Sequence, residues 1–255
     1  MKSKTFFAFV LPLLTLANCG NSSKIGNDLK ELKLNGRIKS IKESSFEAVE
    51  KFGEISKGNI VSSEYLLFNR EGNKTEENSY KPDRSLNSRS TYEYDDKGNQ
   101  IKVNSYKPDG SLGFRDTFEY DDKGNQIELN SYKPDGSLNL RWTFEYDDKG
   151  NQIELNAYKS DGSLDFRHTS EYDDKGNEIE LNAYESDGSL NSKWTYKYDD
   201  KGNRIEASAY YSDRGLIPEI TYQYEFDEQK NWIKQIVFEN GIPKKIIERE
   251  IEYYK

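Results

Sequence analysis

A segment of 26 residues repeats along most of the chain, and this repeat limits the folds that the chain can adopt. The unit is clearest at residues 117–142, TFEYDDKGNQIELNSYKPDGSLNLRW. Self-similarity at a fixed period is typical of architectures in which each unit packs on its neighbours. Seven units cover residues 65–246, the last of them degenerate. They begin at Tyr65, Thr91, Thr117, Thr143, Thr169, Thr195 and Thr221.

Each unit contains two turn signals separated by runs of strand length. In Asp121–Gly124 and Lys133–Gly136, Asp bonds nearby amides, and Pro134 presets φ for a type I turn. A glycine that then adopts a left-handed conformation forms the bulge of a common hairpin connection. Residues 125–132 and 137–146 are rich in Ile, Leu and aromatic residues, so each unit is predicted to be one β-hairpin. The glycines assigned to the first turn are Gly98, Gly124, Gly150, Gly176 and Gly202.

The register of these hairpins determines how the two faces of the sheet differ. Identical turns at both ends place Tyr132 opposite Leu138 and Phe118 opposite Glu128, which mixes polar and apolar rows. A change of one residue places Leu129 beside Phe118 instead, and the resulting apolar face needs a cover. Because the chain is 33% hydrophobic and 33% charged, with a mean hydropathy of −1.01, we favour the open sheet. The predicted fold is all-β: an extended antiparallel meander, as a single-layer sheet or a β-solenoid.

The segments outside the repeats are predicted to cap the array. Residues 29–64 are strand-like but out of phase with the repeat, and we assign them as N-terminal capping strands. Residues 247–255 are assigned as a C-terminal capping strand. Their Lys and Glu side chains suit the protection of a sheet edge.

The N-terminus has the pattern of an export signal, assigned to residues 1–18. A basic start precedes the apolar run 6–17, which is shorter than the roughly 20 residues that span a bilayer. The run ends in Leu16-Ala17-Asn18-Cys19, which resembles the lipobox of bacterial lipoproteins, although Asn18 replaces the usual Gly or Ala.

This resemblance implies that Cys19 becomes the acylated N-terminus and that residues 19–28 form a tether. The membrane, reached through these acyl chains, is then the first predicted partner. The protein is expected to be exported and lipid-anchored in the cell envelope. Gly20 favours the outer membrane, and the periplasmic or surface side stays open. The alternative is an ordinary secretory signal.

The repeat core Glu-Tyr-Asp-Asp-Lys-Gly-Asn at residues 119–125 resembles the tyrosine–aspartate (YD) repeat of RHS-type proteins. The whole layout is similar to uncharacterised repeat lipoproteins of Gram-negative bacteria. The resemblance implies a β-rich repeat architecture and a role at the cell surface. The period is longer than is usual in that family, and the repeats are too few to enclose a cargo.

Two columns of the repeat form a candidate binding strip. Recurring Arg side chains beside Trp rings suit glycans or extended peptides. The alternative is cross-strand charge pairing on a solvated face, with the Glu column of the same strands. The strip contains Arg115, Arg141, Arg167, Trp142 and Trp194.

Composition argues against several other functions. One Cys and one His are too few for a disulfide or a multi-ligand zinc site, and the net charge of −9 disfavours nucleic acid. His168 shares its column with Asp116 and Trp142, so it is not expected to be catalytic. The Asp pairs of the turns lack the ligand spacing of a calcium loop. No metal, cofactor or enzymatic activity is predicted.

The sequence therefore predicts a non-enzymatic, envelope-anchored repeat lipoprotein that presents an extended β surface for protein or glycan binding. The alternative is a structural or spacer lipoprotein of the periplasm with no ligand of its own.

Overall fold

The computed structural model describes residues 27–255, so the signal peptide, Cys19 and most of the tether lie outside the described residues. A four-residue helix, α1 (Asp28–Glu31), precedes strands that fill nearly all of the remaining chain. None of the helices within 27–255 has the length and apolar character needed to cross a bilayer. The strands are β1 (Ile38–Lys51), β2 (Glu54–Phe68), β3 (Lys74–Tyr80), β4 (Leu86–Tyr94), β5 (Gln100–Tyr106), β6 (Leu112–Tyr120), β7 (Gln126–Tyr132), β8 (Leu138–Tyr146), β9 (Gln152–Lys159), β10 (Leu164–Tyr172), β11 (Glu178–Glu185), β12 (Leu190–Tyr198), β13 (Arg204–Tyr211), β14 (Gly215–Leu216), β15 (Ile220–Phe226), β16 (Trp232–Glu239) and β17 (Ile242–Tyr253).

The repeat forms hairpins through hydrogen bonds inside its own turns. In the first turn, the Asp121 amide donates to the Asn125 carbonyl (2.9 Å) and the Gly124 amide donates to the Asp121 carbonyl (3.0 Å). The Asp121 carboxylate accepts from the amides of Lys123 and Asn125 (2.9 and 2.8 Å). The φ of Gly124 is +87°, a value that costs other L-residues strain. Each repeated motif therefore specifies its turn through local contacts.

The two kinds of turn close with the same register, and the ladder shifts by one residue beyond each of them. Tyr132 lies opposite Leu138 as Tyr120 lies opposite Gln126, whereas Phe118, beyond the shift, lies opposite Leu129 rather than Glu128. The register shifts between Glu119 and Tyr120, where β7 carries one extra residue. This bulge returns Leu129 to the side of Phe118, so apolar side chains of successive strands share one face.

The sheet closes on itself, and the predicted open meander or solenoid is wrong. Consecutive strands pair antiparallel, and β1 pairs with both β2 and β17, as in Ile41 opposite Leu66 and Ile251. Apart from the two-residue β14, 16 antiparallel strands form a closed barrel. Closure encloses the apolar face, which an open sheet would expose to solvent, and it removes the unpaired edges of the sheet.

The terminal segments form the seam of this barrel and not its caps. The long strands β1 and β17, which lie in or next to the predicted capping regions, supply the closing ladder from Ile38 to Glu47. Leu29 of α1 packs beside this ladder with Ile38, Ile41 and Phe68, and all four side chains are at most 5% exposed. This buried apolar cluster therefore stabilises the closure.

Residues 27–37, here called the plug segment, identify the inner face. The Leu29 amide donates to the carbonyl of Gly72 in the β2–β3 turn (3.2 Å), and the Asn35 amide donates to the Asn231 side chain in the β15–β16 turn (2.7 Å). A short segment bonded to two separate turns lies across the rim. The side chains directed toward it, such as Tyr94, whose hydroxyl donates to Asp28 (2.6 Å), point into the lumen.

Candidate functional site

Apolar and aromatic side chains line the lumen along β6–β13. Leu129 lies between Phe118 and Trp142, and Trp194 lies between Leu181 and Ala209. Pairing continues these rows around the wall, because every second residue of each strand faces inward. Further members of the same face are Phe144, Leu155, Ala157, Phe166, His168, Ala183, Tyr196 and Ala207.

The lumen is too wide for these side chains to fill it. Barrels of about eight strands are filled by side chains, whereas barrels of about 16 strands enclose open space. Trp142, Phe144 and Leu155 are accordingly half-buried and not fully buried. Ala157 and Ala209 are 0% and 2% exposed because the indoles of Trp142 and Trp194 lie directly opposite them. The result is an apolar surface that water or a ligand can reach.

The wall near the seam carries charged groups instead. Arg249 donates to Glu43 (2.9 Å), and its guanidinium lies 3.3 Å from the centre of the Trp232 ring. Glu77 accepts from Lys74 and from the hydroxyl of Tyr92, both at 2.8 Å. The lumen therefore has one polar wall and one apolar wall.

Two carboxyl groups in the lumen, those of Glu64 and Asp116, have raised pKa values. The pKa of Glu77 is lowered instead, because its burial is outweighed by the charge of Lys74 and the hydrogen bonds from Lys74 and Tyr92. Burial raises the pKa of Glu64, and the neighbouring charges of Glu77 and Glu43 raise it further. Burial also raises the pKa of Asp116, of which one oxygen has no hydrogen-bond partner among the described residues. Desolvation lowers the pKa of His168, so this imidazole is held neutral on the apolar wall. These shifts favour the uncharged forms of Glu64, Asp116 and His168.

A ring of tyrosines and the plug segment close one rim. One tyrosine in each unit from residue 91 onward donates its hydroxyl to a carbonyl 20 residues earlier, as Tyr120 does to Gln100 (2.8 Å). Asp28 of the plug segment accepts from the Tyr94 hydroxyl (2.6 Å) and the Lys74 amide (2.5 Å). The remaining tyrosines of this ring are Tyr94, Tyr146, Tyr172, Tyr198 and Tyr224.

The plug segment carries charges over the lumen. Burial lowers the pKa of Lys33; the charge of Arg204 on β13 lowers it further, and that of Asp173 in the β10–β11 turn opposes the shift. Burial, then the charge of Glu31, raises the pKa of Tyr120 on β6. Charges of one short segment thus act on widely separated strands, as a plug lying across the mouth requires.

The outer face is polar at mid-height. Lys193 of β12 pairs there with Glu180 at 2.7 Å, and Arg141 of β8 lies 3.7 Å from Glu128. A membrane-spanning barrel presents an apolar outer band, and charged residues at its midplane are destabilising. Exposed apolar residues occur outside this band, next to the turns of the closed rim. They are Ile101, Ile127, Ile153, Ile179 and Ile205.

The predicted binding strip is divided between the two faces. Arg141 and Arg167 lie on the outer face, with Tyr158 and Tyr184 opposite them, and Arg115 occupies the same column. Trp142 and Trp194 lie on the lumen face. The arginines and the tryptophans therefore cannot contact one ligand together. Cys19 lies outside the described residues.

Glycines of the predicted turns have the left-handed backbone. The φ values of Gly98, Gly124, Gly150, Gly176 and Gly202 lie between +75° and +87°. The first Asp of each turn accepts backbone amides, as described for Asp121. Its carboxylate is thus occupied by the turn.

Sequence reasoning missed the seam residues of the lumen. Glu43, Arg249 and Trp232 lie outside the regular units and come together only when β1 meets β17. The signal that was available for the apolar wall is the change from Ser to Ala before the repeated Tyr: the copies up to Ser131 have Ser, and those from Ala157 onward have Ala. Ala157 lies opposite Trp142, whereas Ser131 lies opposite Asp116 and Leu140.

Comparisons with known proteins identify the fold alone. No family model and no curated protein matches the chain. A porin-like protein from Bacteroides uniformis superposes with a TM-score of 0.57 at 14% identity, over 86% of this chain and 99% of that chain. A porin-like protein from Bacteroides vulgatus gives a TM-score of 0.49 at 13% identity, over 85% and 98%.

The similarity to RHS-type repeats does not extend to the fold. The solenoid that it implied is replaced by a barrel whose closure joins β1 to β17, and the porin-like structure of TM-score 0.57 shares this fold. The repeated motif encodes a hairpin turn, and hairpins of this kind can build either architecture.

Proposed function

We propose that this chain is a non-enzymatic envelope protein whose barrel holds an apolar molecule in its lumen. The observation that carries the proposal is the contrast between the faces of the apolar wall: Trp142, Trp194 and Leu129 face inward, and the column of Arg141 and Arg167 faces outward. Apolar surface that is left half-exposed inside a wide lumen gains free energy when a ligand covers it.

The location in the envelope is part of the same proposal. It is supported by the export signal at residues 1–18, by the lipobox-like Cys19, and by a fold shared with a porin-like protein. Membrane attachment comes from acyl chains on Cys19 and not from the barrel, because the outer wall is charged at mid-height. Protease treatment of intact and lysed cells distinguishes a surface location from a periplasmic one.

The way in for a ligand is the rim opposite the plug segment. Turns at that rim are short, such as residues 133–137, and none of the hydrogen bonds made by the described plug segment reaches them. The plug segment closes the other rim through Asp28 and Asn35. The barrel is therefore closed at one rim and open at the other.

An uncharged fluorescent probe tests the lumen. The full chain carrying Cys19→Ser is titrated with N-phenyl-1-naphthylamine, and we expect enhanced fluorescence on binding. Trp142→Ser and Trp194→Ser should each weaken binding about tenfold, since each removes a large aromatic contact. Tyr132→Ser, on the outer face, is the matched control.

The spacer alternative makes a different prediction for the same variants. If Trp142→Ser and Trp194→Ser lower the free energy of unfolding but leave probe binding unchanged, or if the wild-type chain binds no probe, the lumen proposal is wrong.

The predicted β surface for protein or glycan binding is a second candidate function. It is favoured by a groove on the outer wall above β10, which leaves the lumen free.

A further inference from the structure

A groove of about 550 Å³ crosses the outer wall near the rim opposite the plug segment. Its floor contains Leu164 and Arg167 of β10, and one side is formed by β9 through Tyr158, Asn156 and Glu154. The other side is the β11–β12 turn, residues 185–188. This volume lies within the range of small-molecule sites.

The Tyr158 ring, which forms the aromatic side of the groove, is held in place by Arg141 of β8. The Arg141 guanidinium lies 4.7 Å from the centre of the Tyr158 ring, which fixes the ring against the wall. The Tyr158 hydroxyl has no hydrogen-bond partner among the described residues. One aromatic ring and a free hydroxyl therefore border the groove.

The guanidinium in the floor differs from the others in its column. Arg89 pairs with Glu76 (2.7 Å), Arg141 lies 3.7 Å from Glu128, and Lys193 pairs with Glu180 (2.7 Å). Arg115 donates to Asn104 (3.1 Å).

Within residues 27–255, Arg167 has no such ion pair or side-chain hydrogen bond, and instead stacks 4.7 Å from the centre of the Tyr184 ring. The guanidinium N–H groups of Arg167 are therefore held in place by the Tyr184 ring but donate no hydrogen bond to another described side chain.

The neighbouring acceptors are partly free as well. One oxygen of Glu154 accepts from the side-chain Nδ2 of Asn156 (2.7 Å), and the second has no partner in the described part of the chain. Asp187 uses one oxygen for its own turn, accepting from the Ser189 amide and hydroxyl (2.9 and 2.6 Å). Unused donors and acceptors therefore surround the half-buried Tyr158 ring.

We propose that this groove binds a neutral saccharide chain. A pyranose presents an apolar C–H face, which suits the Tyr158 ring, and a rim of hydroxyls, which can both donate and accept. Glu154, Asn156 and Arg167 supply the complementary groups. The proposal rests on the second candidate function, the outer-wall binding surface, and it needs no ligand in the lumen.

The charge of the lining excludes acidic ligands. Glu154, Glu185 and Asp187 face a single guanidinium, Arg167, so the groove has an excess of negative charge that repels phosphates and uronates. An extended peptide is also disfavoured, because β9, β10 and β11 are paired on both sides and leave no backbone edge for strand addition.

Isothermal titration with oligosaccharides tests the proposal. The full chain carrying Cys19→Ser is titrated with chitotetraose and with maltotetraose, and at least one is expected to bind. Tyr158→Ala and Arg167→Gln should each weaken that binding tenfold or more. Tyr132→Ala, one repeat earlier on the same outer column, should leave it within twofold.

Three results would overturn the saccharide site: no binding of either tetrasaccharide to the wild-type chain, equal losses in Tyr158→Ala and Tyr132→Ala, or binding of oligogalacturonate or unstructured peptides in their place. If Tyr158→Ala fails to fold, Tyr158→Leu, which keeps bulk but removes the aromatic ring, replaces it with the same expected tenfold loss, and Tyr132→Leu becomes its control. Probe binding in the lumen should be unchanged in all of these outer-wall variants, so the two proposals fail independently.

Discussion

At the scale of the residue, the repeated glycine is a conformational requirement and not a packing one. Gly124 has a φ of +87°, and nothing lies within 4 Å of a Cβ built on it. A larger residue at this position therefore meets no neighbour, and the cost of substitution comes from the backbone alone.

We expect Gly124→Ala to lower the free energy of unfolding by about 1–2 kcal/mol, because a left-handed L-residue is strained by that amount. Gly124→Asn should cost less, since Asn tolerates this conformation. Urea unfolding of the three chains measures the difference. Equal stability of all three would show that Gly124 does not need the left-handed backbone.

Two cross-strand pairs, one next to a turn and one beyond a bulge, show how much of the strand register could be predicted from the sequence. Tyr132 opposite Leu138 follows from the turn residues between them, and it was predicted. Phe118 opposite Leu129 depends on a bulge in β7, which has no distinctive residue, and the prediction chose Glu128. One added residue exchanges the faces, so the choice between a mixed and an apolar face could not be made locally.

At the scale of the element, the plug segment couples a titratable group to closure of the rim. Burial raises the pKa of Glu31 to about 7; the charge of Asp28 raises it further, and that of Lys74 opposes the shift. A carboxyl whose pKa is raised in the folded state stabilises that state fully below its unfolded pKa. This contribution is lost as pH rises through the folded value.

The plug segment should therefore be held most firmly near pH 4.5 and loosen toward pH 7. Lumen water reaches Glu31, so we expect a difference of about 1 kcal/mol and not the full value of the shift. Hydrogen exchange of the amides of residues 27–37 measures it. Glu31→Gln should abolish the change with pH; a pH dependence that persists in this variant would assign the effect to another group.

At the scale of the whole molecule, the number of strands sets the width of the barrel. The closing pairs, such as Ile41 with Ile251, join residues at the two ends of the chain, and no local pattern in either strand reveals them. The sequence therefore predicted strands, turns and repeat boundaries but not closure.

Deletion of residues 117–142 removes one complete unit and joins equivalent positions of β6 and β8. We expect a folded barrel whose radius is smaller by about one-eighth, because diameter grows roughly linearly with strand number, and whose height is unchanged. Small-angle scattering measures both dimensions. A solenoid would become shorter instead.

Deletion of residues 121–132 is the matched control. It removes one strand and one turn, so β17 would meet β1 in parallel and the seam ladder could not form. A soluble, cooperative product from this shorter deletion would contradict the closed barrel.

The near-identity of the units at residues 91–220 also has a genetic consequence. Unequal recombination between their coding sequences would gain or lose whole hairpins, and each product would keep its reading frame and the same seam strands. Alleles of one locus could then encode barrels of different diameter. Residues 27–37 would keep their length in every allele, so they would span the rim only at the original diameter.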